Sequence, residues 1–235
     1  MNELFNTTGE YSKEITRDFF KNVYAYMFGA LAISGVISYY AGTPAFFERY
    51  FITANGISPL FYVIAFAPVG LGLVIQMAYR RLSLGLLTIL FLGYSVLMGL
   101  SLSTIFLVYS NAAIFQTFLV TAGAFAGMAI LGYTTKIDLT KFGSLLYMLF
   151  IGMFIAGIVN IFIGSSMMSF VISVLGVFVF TGLTAYYMQQ LKTVASNEEL
   201  SGIDRSKLAL IGGLQLYILF INLFLSLLRI MGSRE

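Results

Sequence analysis

Seven long stretches of this 235-residue chain hold almost no charge, and that distribution constrains the fold more than any motif does. The ten acidic residues, Glu3, Glu10, Glu14, Asp18, Glu48, Asp138, Glu198, Glu199, Asp204 and Glu235, all lie outside the apolar runs, as do nearly all thirteen basic ones. A charge at the centre of a bilayer-spanning helix costs about 2.5–3.5 kcal/mol even on the lenient insertion scale. Apolar residues make up 59% of the chain and charged residues 10%, whereas a soluble domain has roughly half and a quarter. Lipid, not a soluble core, accounts for the pattern.

Crossing roughly 30 Å of hydrocarbon takes about 20 apolar residues in a helix. Runs of that kind cover residues 22–41, 57–78, 84–108, 112–133, 145–163, 167–191 and 208–231. They are continuously apolar, which excludes the alternating segments of a β-barrel. The expected fold is therefore all-α, an integral membrane bundle of seven helices. Residues 1–21 form a polar N-terminal segment and residues 22–232 the membrane domain. That polar segment lacks the short basic stretch and apolar core of a cleavable signal, so no cleavage is expected.

Basic residues set the orientation. The N-terminal segment and the second–third, fourth–fifth and sixth–seventh connections hold Lys13, Arg17, Lys21, Arg80, Arg81, Lys136, Lys141, Lys192, Arg205 and Lys207. The opposite side holds Arg49, Arg229 and Arg234. The N-terminus is expected inside and the C-terminus outside. Short connections make neighbouring helices antiparallel. The 42–56 loop, with Phe46, Phe47, Tyr50 and Phe51, reads as an aromatic segment at the outer interface. Gly123 and Gly127, and Gly152 with Ala156 and Gly157, have the spacing that lets helix backbones approach within the chain.

Several chemistries drop out. The chain has no cysteine and no histidine, which removes disulfides, thiol nucleophiles, histidine-based serine proteolysis and the usual zinc or copper sites. No carboxylate pair lies within the spans for aspartyl proteolysis. Lys207, at the inner boundary of the last span, is the only lysine near it, which argues against a retinal Schiff base. Scattered basic residues do not make a nucleic-acid footprint. The chain reads as a non-enzyme without cofactor or resident metal.

The polar groups left inside the spans are Gln76, Gln116, Asn160, Gln189, Gln190, Gln215 and Asn222, with Thr117, Thr121, Thr181, Thr184, Tyr186, Tyr187 and Tyr217. The ordinary expectation is that they bond across helices. The functional alternative is a narrow hydrated path, since amide oxygens and tyrosine hydroxyls replace part of a cation's hydration shell. Asn160, Tyr186, Gln215 and Asn222 are the candidate bundle-lining residues. Gln215 and Asn222, two helical turns apart, share one face of the last span, which is expected to face the bundle.

Several segments carry a family resemblance: Leu97-Met-Gly-Leu-Ser-Leu-Ser103, Gln116-Thr-Phe-Leu-Val-Thr-Ala-Gly123, Gly132-Tyr-Thr-Thr-Lys-Ile-Asp-Leu139, Ile151-Gly, Val159-Asn-Ile-Phe162, Phe180-Thr-Gly-Leu-Thr-Ala-Tyr186 and Phe220-Ile-Asn-Leu-Phe224. Together they resemble bacterial members of the Bax inhibitor-1 family, in order from about Phe19 to Gly232. The resemblance implies a bundle whose seventh helix is surrounded by the other six. It also implies modulation of membrane ion balance, in some members as a calcium leak that two aspartates sharing a proton hold shut. The matching positions here are Tyr187 and Leu219, so both carboxylates are missing. Two adjacent carboxylates raise one another's pKa toward neutrality, and without them that latch cannot operate. Two functions stay open: a cation leak, calcium preferred, gated without the aspartates; or a non-conducting regulator that binds other membrane proteins, such as a membrane-bound protease. The polar N-terminal segment is a possible handle for such a partner.

Overall fold

In a computed structural model of the chain, residues 2–54, 56–197 and 200–232 are described, with side chains from Glu14 onward. Arg234, counted above in the orientation, and the side chains of residues 1–13 lie outside that description. Among the described residues, seven helices are long and apolar enough to cross a membrane. They are α1 (Asn2–Ala41), α3 (Pro59–Ala78), α4 (Leu84–Leu102), α5 (Asn111–Thr134), α6 (Thr140–Ile163), α7 (Ser166–Ala195) and α8 (Gly202–Met231), with a 3-10 turn Ser103–Leu107 after α4. Between α1 and α3 lie a short helix α2 (Pro44–Phe51) and a two-stranded hairpin, β1 (Ile52–Thr53) with β2 (Gly56–Ile57).

The helices start where local chemistry tells them to. Ser58, Ser83 and Ser165 cap α3, α4 and α7, their hydroxyls accepting from the backbone N–H of Leu60, Leu86 and Met168, and Pro59 sits where its missing N–H costs nothing. Helices run past the apolar stretches because nothing breaks them: α1 reaches back to Asn2 without a boundary at residue 21, and no proline precedes Pro44. Likewise α7 extends to Ala195 and α8 begins at Gly202. Thirty residues measure about 45 Å along a helix, so α7 and α8 project beyond the hydrocarbon or tilt within it.

The 42–56 segment holds more structure than an interfacial loop. Its hairpin pairs Ile52 with Ile57 and Thr53 with Gly56, and Gly56 turns at φ +109°, a conformation other residues rarely adopt. Phe51 is buried at the centre of edge-on contacts with Phe46, Phe47 and Phe61, ring centroids 5.4–6.0 Å apart.

The chain divides into two units. In the first, residues 2–110 and 200–217, α1 packs on α4, with Gly99 against the backbone of Ser34, and Gly213 of α8 lies against Val23 and Tyr26 of α1. In the second, residues 111–197 and 218–232, α7 packs on both α5 and α6. Gly132 lies against the Ala185 backbone and Gly182 against Leu146. Phe220 of α8 meets Phe118 and Phe125 of α5 edge-on at 5.5 and 5.4 Å.

Glycine packing corrects the sequence expectation. Gly123, Gly127, Gly152 and Gly157 have nothing within 4 Å of where a Cβ would stand. The spacing of small residues records that a close approach is possible, but which helix face meets a neighbour is a tertiary matter. Close approach falls instead at other glycines, among them Gly99, Gly132, Gly143, Gly176, Gly182 and Gly213, of which Gly99 stands between buried Ser95 and Ser103 and Gly213 one turn after buried Ala209.

Candidate functional site

Two thirds of the apolar stretch of α8 is buried, against a third or less in each of the other six spans. Between Ala209 and Leu228 its partly exposed residues are Ile211, Gln215, Ile218, Asn222 and Leu225, with Leu227 apart from them. The spacing of three and four residues puts all five on one face. Gln215 and Asn222 do share a face, as expected, but it is the less buried one and not the packed one.

The two amides are under-used. The Gln215 side chain makes no hydrogen bond among the described residues, and Asn222 turns its amide N–H back onto the Ile218 carbonyl at 2.8 Å, leaving Oδ1 unbonded. Leu219, one of the two positions where the family pattern has an aspartate, is only 3% exposed. The other position, Tyr187, is half-buried, its hydroxyl approaching that of Tyr147 and its ring 6.1 Å from Tyr186.

Two other candidates serve the packing. Tyr186 lies flat in the space that Gly143 leaves on α6 and meets Tyr147 edge-on at 6.2 Å. Asn160 closes the turn between α6 and α7: its amide donates to the Ser165 carbonyl at 3.1 Å and the Ser169 hydroxyl at 2.7 Å, and its Oδ1 accepts from Ser165 N–H at 3.0 Å. Gly164, at φ +71°, makes that reversal possible. Each has its polar or aromatic group taken up within the α6–α7 pair.

Gln189 also works at a connection. It accepts from the Leu139 N–H at 2.8 Å and donates to the Ile137 carbonyl at 2.7 Å, tying the 135–139 turn to α7. Lys192 donates to the Tyr133 carbonyl beside it. Within the turn, Asp138 accepts from the Thr140 hydroxyl and N–H at 2.6 and 2.9 Å, and these bonds hold its carboxyl below the usual range.

Most hydroxyls in the spans do not bond across helices. Ser34, Ser95, Thr121, Thr181 and Thr184 each donate to the carbonyl four residues earlier in their own helix. The short side chain reaches that carbonyl without help, so no neighbour is needed. Ser101 is different, donating from α4 to the Ile64 carbonyl of α3 at 2.7 Å. The N–H that would normally fill Ile64 belongs to residue 68, and residue 68 is proline.

One buried hydroxyl stays unpaired. Tyr217 is fully enclosed, its ring edge-on to Tyr94 at 5.9 Å and its hydroxyl facing Ser34, but it forms no hydrogen bond. Tyr94, Ser34 and Ser101 were not singled out from the sequence. The proline inside the second apolar run is the one signal that could have pointed to Ser101.

These features define a multi-pass helical membrane protein whose last span carries two amides on its partly exposed face between Ile211 and Leu225. The chain belongs to the Bax inhibitor-1 family: the family model described as "Inhibitor of apoptosis-promoting Bax1" matches residues 16–235. It is 41% identical over 216 residues to the inner membrane protein YbhL of Escherichia coli K12, covering 91% of this chain and 90% of that one. It is 40% identical over 221 residues to an uncharacterized protein of Borreliella burgdorferi, covering 94% of each. A third relative, an uncharacterized protein of Caulobacter vibrioides, is 41% identical over 227 residues, covering 93% of this chain and 90% of that one. The protein is accordingly a multi-pass protein of the bacterial inner membrane.

Proposed function

We propose that the chain is a slow cation leak, calcium preferred by family analogy, that works without an ionisable latch and without catalysis. The observation that carries this reading is the amide line of α8. Along the partly exposed face of α8 from Ile211 to Leu225 stand Gln215 and the free Oδ1 of Asn222, oxygens of the kind that coordinate hard cations. Buried Leu219 supplies an apolar obstruction where a latch carboxylate would stand, so resting flux is low and nothing at that position titrates.

The test is calcium entry into sealed liposomes holding the purified full-length chain and a trapped indicator. Flux above that of protein-free liposomes is expected, falling several-fold in Gln215→Leu and Asn222→Leu at unchanged melting midpoint. Flux equal to the protein-free control overturns the leak. The second reading, a non-conducting regulator that binds membrane proteins, then stands, supported by the unpartnered Gly123, Gly127, Gly152 and Gly157 on α5 and α6.

The proposed orientation, N-terminus inside, rests on the asymmetry of ten basic residues against three. Because the chain has no cysteine, Ser83→Cys and Ser165→Cys can each be probed with an impermeant thiol reagent on intact cells. Labelling of Ser165→Cys alone is expected, and labelling of Ser83→Cys alone inverts the topology.

A further inference from the structure

Within the unit of residues 2–110 and 200–217, α1 and α8 line an open pocket of about 160 Å³ that the amide line of α8 does not reach. Its polar lining is Asp18 and Asn22 from α1 with Arg205 and Ser206 from α8, and Phe19 and Ala209, each 1% exposed, form its floor. We propose that this pocket seats the headgroup of phosphatidylethanolamine, its phosphate against Arg205 and Ser206 and its primary ammonium against Asp18 and the Asn22 carbonyl oxygen.

Size is the first argument. Small-molecule sites usually occupy roughly 300–1,000 Å³ and a water about 30 Å³, so 160 Å³ suits a compact polar group and not a nucleotide or a drug-sized ligand.

Depth is the second, and it is independent. On α1 the charges end at Lys21 and the next one along the chain is Glu48; on α8 they end at Lys207 and the next is Arg229. Both helices therefore pass from charged to apolar sequence at the pocket, which is where a span crosses the headgroup layer.

Charge is the third. The pocket offers one carboxylate and one guanidinium, a match for a headgroup with one cation and one anion. Around it, Arg17, Lys21, Arg205 and Lys207 are nearly balanced by Glu14, Asp18 and Asp204, unlike the polybasic surfaces that gather anionic lipid. Arginine carries five N–H donors in a planar fork, so Arg205 can grip a phosphate while keeping a bond within the protein. An ammonium with N–H donors satisfies both Asp18 and Asn22, which a quaternary choline cannot.

The experiment is lipid retention by native mass spectrometry of the full chain released from nanodiscs of equal phosphatidylethanolamine, phosphatidylglycerol and phosphatidylcholine. Preferential retention of phosphatidylethanolamine is expected, falling about tenfold in Arg205→Gln and in Asp18→Asn, the loss that one good charge-assisted contact represents. Arg205→Lys, which keeps the charge and loses the fork, should retain an intermediate amount. Equal retention of all three lipids makes the bound lipid merely annular and overturns the proposal. So does preference for phosphatidylglycerol with no effect of Asp18→Asn, which describes a phosphate-only site. Displacement of bound phosphatidylethanolamine by millimolar inorganic phosphate overturns it too, since the ligand is then free phosphate. If Arg205→Gln does not fold, the wild-type lipid preference and the Asp18→Asn arm decide alone.

Discussion

The Ser101 hydroxyl of α4 donates at 2.7 Å to the Ile64 carbonyl of α3, the acceptor that Pro68 leaves unfilled one helical turn on. In hydrocarbon there is no water to take up such a carbonyl, so a proline inside a span needs a donor from elsewhere. The pair explains how α3 carries a buried proline at all.

Ser101→Ala is expected to destabilise the protein by about 1–3 kcal/mol, the cost of an orphaned buried acceptor. Pro68→Ala restores the missing N–H, so the double change Pro68→Ala with Ser101→Ala should recover most of the loss. Melting midpoints in detergent for the two single variants and the double variant check this. Additive losses would mean that the serine and the proline are not coupled.

The unpaired Tyr217 hydroxyl gives the opposite sign. Tyr217→Phe removes a buried group that forms no hydrogen bond and keeps the edge-on contact with Tyr94, so the melting midpoint should hold or rise. Tyr217→Ala leaves a cavity and should cost about 3–5 kcal/mol, as large aromatic truncations do. A marked drop in Tyr217→Phe would show that the hydroxyl is bonded in the membrane, for instance through a water shared with Ser34.

Glycine substitutions separate packed faces from open ones. A Cβ on Gly132 would fall on the Ala185 carbonyl, and one on Gly127 would meet nothing within 4 Å. Gly132→Ala should therefore destabilise α5 against α7 by about 1–3 kcal/mol or more through overpacking. Gly127→Ala should be neutral or slightly stabilising, since alanine is the better helix former. Comparing yield and melting midpoint of the two variants tests the assignment, and equal penalties would place Gly127 at a contact.

Any calcium flux through the wild-type chain should change little between pH 6 and pH 8, a window spanning the ordinary histidine range. Between Ile211 and Leu225 the partly exposed face of the last span holds no ionisable side chain, and Asp138, held below the usual range, is fully ionised across the window. The double change Tyr187→Asp with Leu219→Asp should create a shared-proton pair and a pH-dependent flux that neither single change confers. A folded double variant with no dependence beyond the sum of the singles would show that the two positions do not pair, and would weaken the leak proposal. The readout is liposome flux at each pH, with fold checked by gel filtration.

What the sequence determined by itself is the class of protein and the placement of its spans. The hydrocarbon penalty acts residue by residue, so α3 to α6 lie close to where the charge-free runs predict them. The ends of α1, α7 and α8 were less legible, because a helix continues through polar residues until a breaker stops it. Only the tertiary structure decided where the polar groups spend their hydrogen bonds. Asn160 and Gln189 look alike in sequence to Gln215, yet the first two close connections and the third stays open on the accessible line of α8. The difference lies in what each amide meets after folding: a turn carbonyl and N–H in reach for Asn160 and Gln189, none for Gln215. The glycine spacing likewise states which backbones can approach a neighbour, and only packing selects Gly132 over Gly127, because a helix face finds its partner through the whole bundle and not through its own repeat.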